Sequence, residues 1–240
     1  MKPFPKTRQP LPPAYREIYE KHIRENRLGK TRASLFSSRL EGWLHRQVAK
    51  SSAKSLKTLE IGAGTLNQLR YESAEIYDIV EPFKLLYHDS PALGRIRNIY
   101  GDVSEIPPDS RYDRIISIAA FEHILDLPEV VARSSSLLNP GGGLYVSIPN
   151  EGRFLWKLAY SLTTGAEFRK RYGLDYSVLM NYEHCNTADE IEAVLRKFYG
   201  RVSMKLFGPC KTLALYRFYS CTKPNMDKAL EIQKAKGWEQ

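Results

Sequence analysis

No apolar run in these 240 residues approaches the roughly 18 that a membrane-spanning helix requires, so the expectation is a soluble protein. Cysteine is scarce. The three present, Cys185, Cys210 and Cys221, show neither paired nor metal-ligand spacing, which argues against a disulfide framework or a cysteine metal site. The opening residues, Met-Lys-Pro-Phe-Pro-Lys, lack the apolar stretch of a secretory signal, and a reducing cytoplasm is the expected compartment. Internal repeats are absent as well. What remains is 42% hydrophobic and long enough to bury a full α/β core.

Charge is plentiful and unevenly placed. Residues 1–50 hold 12 Lys or Arg against 4 acids, whereas the other 190 hold 24 against 23, so a net charge of +9 sits almost wholly in the leader. Such a leader faces an anionic partner, or is a solvated tail. Pro3, Pro5, Pro10, Pro12 and Pro13 keep its first dozen residues out of helix, which predicts an extended, mobile stretch. Ala14 to Leu28 then carries Ile18, Tyr19, His22 and Ile23 at helical spacing up to Gly29, and a second helix is expected over Ala33 to Ala49.

The densest signal lies at Leu59 to Leu66, Leu-Glu-Ile-Gly-Ala-Gly-Thr-Leu, where an apolar strand stops in a glycine-spaced turn. Glycine at 62 and 64 opens backbone angles closed to other residues and admits a ligand to the main chain. A dinucleotide fingerprint would place a further glycine at 67, where Asn67 stands, so a nicotinamide cofactor is disfavoured. Four more features follow in order. Ile76 to Pro82 alternates into a strand ending at Glu81; Asn98 to Asp102 ends a third strand in another carboxylate; Tyr112 to Ala120 reads as a buried strand followed by Phe121-Glu-His-Ile; and Leu138 to Pro149 contains Pro-Gly-Gly-Gly before a fifth strand.

In order and spacing these segments resemble the class I S-adenosylmethionine-dependent methyltransferases, especially the small-molecule group (type 11/12-like) whose signature runs from an acidic-x-Gly-x-Gly loop to a Pro-Gly-Gly strand. The resemblance covers roughly Leu56 to Lys223. Leu66 departs from it, standing where the family usually has a third glycine. The implied fold is a doubly wound, Rossmann-like, seven-stranded and mostly parallel sheet with an antiparallel last strand, preceded by N-terminal helices and carrying a helical lid. The expected units are a leader with helices (1–50), a methyltransferase domain (51–223, lid insertion 150–185) and a tail (224–240).

The resemblance implies S-adenosylmethionine as cofactor. Backbone at Gly62, Ala63 and Gly64 would meet its methionine end, Glu60 would steady that loop or the amino group, Glu81 with Pro82 would bind the ribose, and Asp102 with Val103 the adenine edge. Ala119, near the end of the fourth strand, completes the implied pocket. Each carboxylate has a competing reading as a solvated strand-end residue. For a catalytic base two histidines compete, His123 after the fourth strand and His184 at the end of the lid; the competing reading of both is a core or cap histidine. Ubiquinone-pathway O-methyltransferases hold a metal with a related Glu-x-x-Glu-His run, but Ala119 occupies the first acidic position here, so no metal ligands are assigned.

The insertion Asn150 to Cys185 is where acceptor specificity usually sits in this fold. It offers Phe154, Leu155, Trp156, Leu158, Ala159, Tyr160 and Leu162, then Phe168-Arg-Lys-Arg-Tyr172, an aromatic and basic lid suited to a phosphorylated, nucleotide-linked or lipid-linked acceptor and to peripheral membrane contact. A helical pair covering its own core is the competing reading. The fourth strand lacks the Asn/Asp-Pro-Pro-Tyr turn of base aminomethylation, and Pro209-Cys210 lies too late for cytosine C5 chemistry. The expected activity is therefore methylation of oxygen or nitrogen on a small-molecule, glycan or lipid-linked acceptor, nucleic acid being disfavoured. An RNA-binding or RNA-modifying protein and a non-catalytic scaffold of the same fold remain open. Thr187 and Glu190 form a capping box for a helix to Phe198, two β-rich runs flank Gly208-Pro209, and 225–240 reads as a polar helical tail.

Overall fold

The computed structural model describes residues 3–19 and 32–237. The central strands are short and mostly apolar, in keeping with burial on both faces: β1 (Thr58–Ile61), β2 (Tyr77–Val80) and β4 (Tyr112–Ile118) are almost entirely buried, the polar Glu60, Asp78 and Arg114 included. With β3 (Asn98–Tyr100), β5 (Leu138–Pro149), β6 (Tyr199–Phe207) and β7 (Tyr216–Pro224) they form one sheet in the order β3-β2-β1-β4-β5-β7-β6. The pairs from β3 through β5 are parallel, and β7 is antiparallel to both β5 and β6. The order reverses between β1 and β4, which opens a crevice at their carboxyl ends.

The helices divide between two faces. α3 (Leu127–Ser136), α7 (Ala188–Phe198) and α8 (Met226–Ala235) cover one, where Leu59, Ile61, Ile115 and Val146 meet Val131, Leu195 and Ala229. On the other, α2 (Arg32–Ala49) lays Leu44 and Val48 against Tyr77, Ile79, Ile116 and Phe218. α8, expected as a polar tail, belongs to the core: Ala229 is fully buried, Gln233 donates to the Ser136 hydroxyl at 2.7 Å, and Lys236 reaches Asp126 and Glu129.

The first crossovers are short. Alternation of strand and helix in a doubly wound sheet predicts helices near 67–70 and 82–90, but the chain forms a single 3₁₀ turn at Lys84–Leu86, and the segment after the glycine loop, Asn67–Tyr71, is also 3₁₀. The Glu81 carboxylate takes the Phe83 amide at 3.0 Å, which turns the chain before an α-helix can start. The β2–β3 connection then meets Pro91 and Gly94, which discourage helix continuation. Arg114, on β4, ties the shortened crossover to α2. Its guanidinium holds the buried Glu72 at 2.6 and 2.9 Å and also reaches the Ser51 hydroxyl and the Val48 carbonyl. Gln68 donates to Glu72, and its Oε1 accepts from His45 Nδ1 at 2.8 Å, extending the network back to the helix.

The insertion forms three helices, α4 (Phe154–Leu162), α5 (Thr164–Tyr172) and α6 (Tyr176–Glu183), around their own small core of Phe168, Tyr176, Leu179 and Met180. The leader joins that core. Its extended residues are docked rather than mobile: Lys6 donates its amide to the Leu125 carbonyl and its ammonium to the Cys185 carbonyl, both at 2.8 Å, and pairs with Glu190 at 2.7 Å. Leu11 and Tyr15, the latter on helix α1 (13–19), are buried against the lid. Burial of these two apolar side chains and of the Lys6 ion pair outweighs the entropy of a free tail. The rest of the expected first helix, with His22, Ile23 and Gly29, lies outside the described residues.

Candidate functional site

The glycine loop stands at the reversal point. Gly62 has φ 75°, and a side chain there would bring its Cβ within 2.3 Å of the Ala120 Cβ at the end of β4. Gly64 has φ 52° with no atom within 4 Å of where a Cβ would lie, so its outer side is open to a ligand. Leu66 keeps the left-handed conformation (φ 61°, ψ 26°) that a third glycine would adopt freely. That backbone costs a leucine about 1–2 kcal/mol, offset by a side chain only 3% exposed in the core of the α2 face.

Glu81, at the end of β2, is oriented toward this loop by two amides: Gly64 donates to Oε2 at 2.7 Å and Phe83 to Oε1 at 3.0 Å. Each oxygen retains a further lone pair for a ligand hydroxyl. Pro82 is exposed beside it. Asp102 is exposed at the end of β3, accepting from the Ser104 amide at 2.9 Å and hydroxyl at 2.7 Å, while Val103 and Ala63 turn their side chains into the two cores. Ala119 is exposed at the rim with φ 49°, its amide tied to the Ser147 carbonyl. Glu60 is different in kind. It is 2% exposed and accepts from the Tyr77 hydroxyl at 2.8 Å; burial raises its carboxyl pKa to about 8. It is a buried acid beneath the loop.

The two candidate histidines, 61 positions apart, come together with ring centroids 4.7 Å apart, edge to face. His184 Nδ1 meets Glu151 Oε2 at 2.7 Å, and His123 Nδ1 meets the Glu183 carbonyl at 3.0 Å. Burial opposes the charged form of His184, but the Glu151 hydrogen bond and the nearby Glu122, Glu151 and Glu183 carboxylates carry its pKa above the usual value. Burial likewise opposes Glu151 ionisation, and the bond to His184 together with one from Trp156 Nε1 at 2.6 Å holds its carboxyl below the usual range. Glu151 was not anticipated. It stands just past the end of β5, after Asn150, in a segment that carries no motif of its own. Glu122, His123 and His184 also bring potential ligand atoms within 4.8 Å of one another, a grouping that the expectation of no metal ligands did not foresee.

Residues 31–198 match the family described as a methyltransferase domain. The chain belongs to that family. No curated protein matches. Among solved structures, this methyltransferase is similar to an S-adenosylmethionine-dependent methyltransferase of Thermotoga maritima, described as a possible histamine N-methyltransferase: TM-score 0.56 at 15% identity, covering 88% of this chain and 98% of that one. A Mesorhizobium loti S-adenosylmethionine-dependent methyltransferase gives 0.51 at 15% identity, covering 75% and 96%. Haemonchus contortus phosphoethanolamine N-methyltransferase 2, solved with S-adenosylmethionine, gives 0.51 at 14%, covering 78% and 53%. These likenesses show the fold, that of the class I methyltransferases. With the family match, they make S-adenosylmethionine the cofactor.

The residues fit that cofactor. The open side of Gly64 leaves room for the close approach of a ligand, and the doubly held Glu81 carboxylate offers two acceptors to a diol. Bound, the cofactor supplies a sulfonium-activated methyl group. What the protein must add is orientation and, for an acceptor that loses a proton, a base.

Proposed function

We propose that this methyltransferase transfers the cofactor methyl to an oxygen or nitrogen of a small-molecule, glycan or lipid-linked acceptor that carries an anionic group, with His184 as general base. The Glu151–His184 bond carries the reading. A carboxylate on Nδ1 fixes the imidazole tautomer and leaves Nε2 to take the acceptor proton. His123, edge-on at 4.7 Å, keeps the second imidazole against the first. Glu151 also lines a cavity of about 610 Å³ in the lid, whose wall brings Lys157 and Arg169 together with Tyr160, Ser161 and Tyr176. Two cations beside aromatic faces suit an anionic acceptor. Leu66, where the family usually has a third glycine, keeps the left-handed backbone that a glycine would adopt, which favours a working cofactor loop over a non-catalytic scaffold.

The base works only when neutral. Because the His184 pKa lies above 6.5, kcat/KM should fall as pH drops through that raised value, and His184→Ala should lose roughly 10²- to 10⁴-fold in turnover with cofactor affinity unchanged. Steady-state rates across pH, with cofactor affinity by calorimetry, test this. Full turnover by His184→Ala at saturating cofactor would end the proposal.

A further inference from the structure

α4 turns one side outward without cover. Phe154, Leu158 and Leu162 follow one another at four-residue steps and therefore share a face. They are 70%, 38% and 69% exposed. The opposite side is pinned: Trp156 donates to Glu151 and packs on Tyr216 with ring centroids 5.6 Å apart. The ridge is thus held outward on an ordered element. Its surroundings are cationic. Arg153 pairs with Asp189; Lys157, Arg169, Lys170 and Arg171 are exposed to solvent, and Glu167 is the single acid between residues 152 and 171. Phe154, Lys157 and Arg169 line one cavity wall, which places basic groups next to the ridge.

An apolar ridge flanked by Lys and Arg matches the chemistry of a helix lying in the headgroup layer of an anionic bilayer. A second copy of the chain fits less well, since a two-fold contact would set the same cations against each other. α4 has nine residues and no described helix is long and apolar enough to cross a membrane, so the contact is peripheral. We propose that α4, with the basic end of α5, docks this protein onto anionic phospholipid surfaces, Leu158 and Leu162 entering the acyl boundary while Lys170 and Arg171 meet the phosphates. This holds whatever the acceptor is.

The experiment is co-sedimentation of the full chain with phosphatidylcholine vesicles, with and without phosphatidylserine. Binding should require phosphatidylserine and weaken in high salt. The double variants Leu158→Ser with Leu162→Ser, and Lys170→Gln with Arg171→Gln, should each lose about tenfold in partitioning, while both bind S-adenosylmethionine as wild type does, which shows that they are folded. Three results would overturn the proposal: no binding of the wild type to anionic vesicles, equal binding by the leucine variant, or self-association of the wild type that the leucine variant abolishes.

Discussion

Glu81 illustrates how a single carboxylate can be fixed beside a glycine loop. Its two oxygens accept from Gly64 and Phe83, so the side chain is oriented before any hydroxyl arrives. Glu81→Ala should weaken cofactor binding by roughly 1.5 to 3 kcal/mol per hydrogen bond lost, with the fold intact; calorimetric titration beside a far-ultraviolet circular dichroism spectrum would read both. His184 has a second pH consequence. A pKa raised above 6.5 in the folded state means its stabilising interactions are complete below pH 6.5 and are lost as pH climbs through the raised value. Catalysis and this share of stability therefore run in opposite directions with pH. At this scale the chain positions of Glu81 and both histidines at element ends were legible, because a strand end or a capped helix marks each. Glu151 escaped because nothing local distinguishes it from a surface acid until His184 arrives from the lid.

Among the elements, strands were read more faithfully than crossovers, for a physical reason. A buried strand declares itself in four or five residues, as Tyr77-Asp-Ile-Val80 does, whereas a helix needs two or more turns to show its period. The segments after β1 and β2 are too brief for that, and the Glu81 bond to Phe83 cuts the second short. α7 was legible for the opposite reason: Thr187 and Glu190 form the reciprocal cap their spacing implies. Where full helices are missing, a polar network substitutes. Arg114 is 1% exposed and grips Glu72 through two nitrogens while reaching α2 at Val48. Arg114→Ala would leave Glu72 buried without its main counter-charge and should cost about 3–5 kcal/mol, measurable as a lower denaturant midpoint.

For the molecule as a whole, the leader is the largest departure from the sequence reading. Proline pattern and charge correctly gave an extended basic stretch, but docking depends on partners that lie more than a hundred residues away, Leu125, Cys185 and Glu190. The leader thereby ties the lid to the α7 cap. Removing residues 1–12 should speed amide hydrogen exchange in α6 and the first turn of α7 by roughly an order of magnitude, the loss of one charged hydrogen bond. Exchange unaltered there would show that the strap carries no stability. The shortened crossovers have a consequence of their own. The crevice end of β1 and β2 rests on single turns and carboxylate hydrogen bonds, so the ligand that fills it also completes its packing. Melting temperature should then climb with cofactor concentration, by about 2.7 kcal/mol of protection at a hundredfold excess over Kd. Depletion of S-adenosylmethionine would then remove that share of the protein's resistance to unfolding.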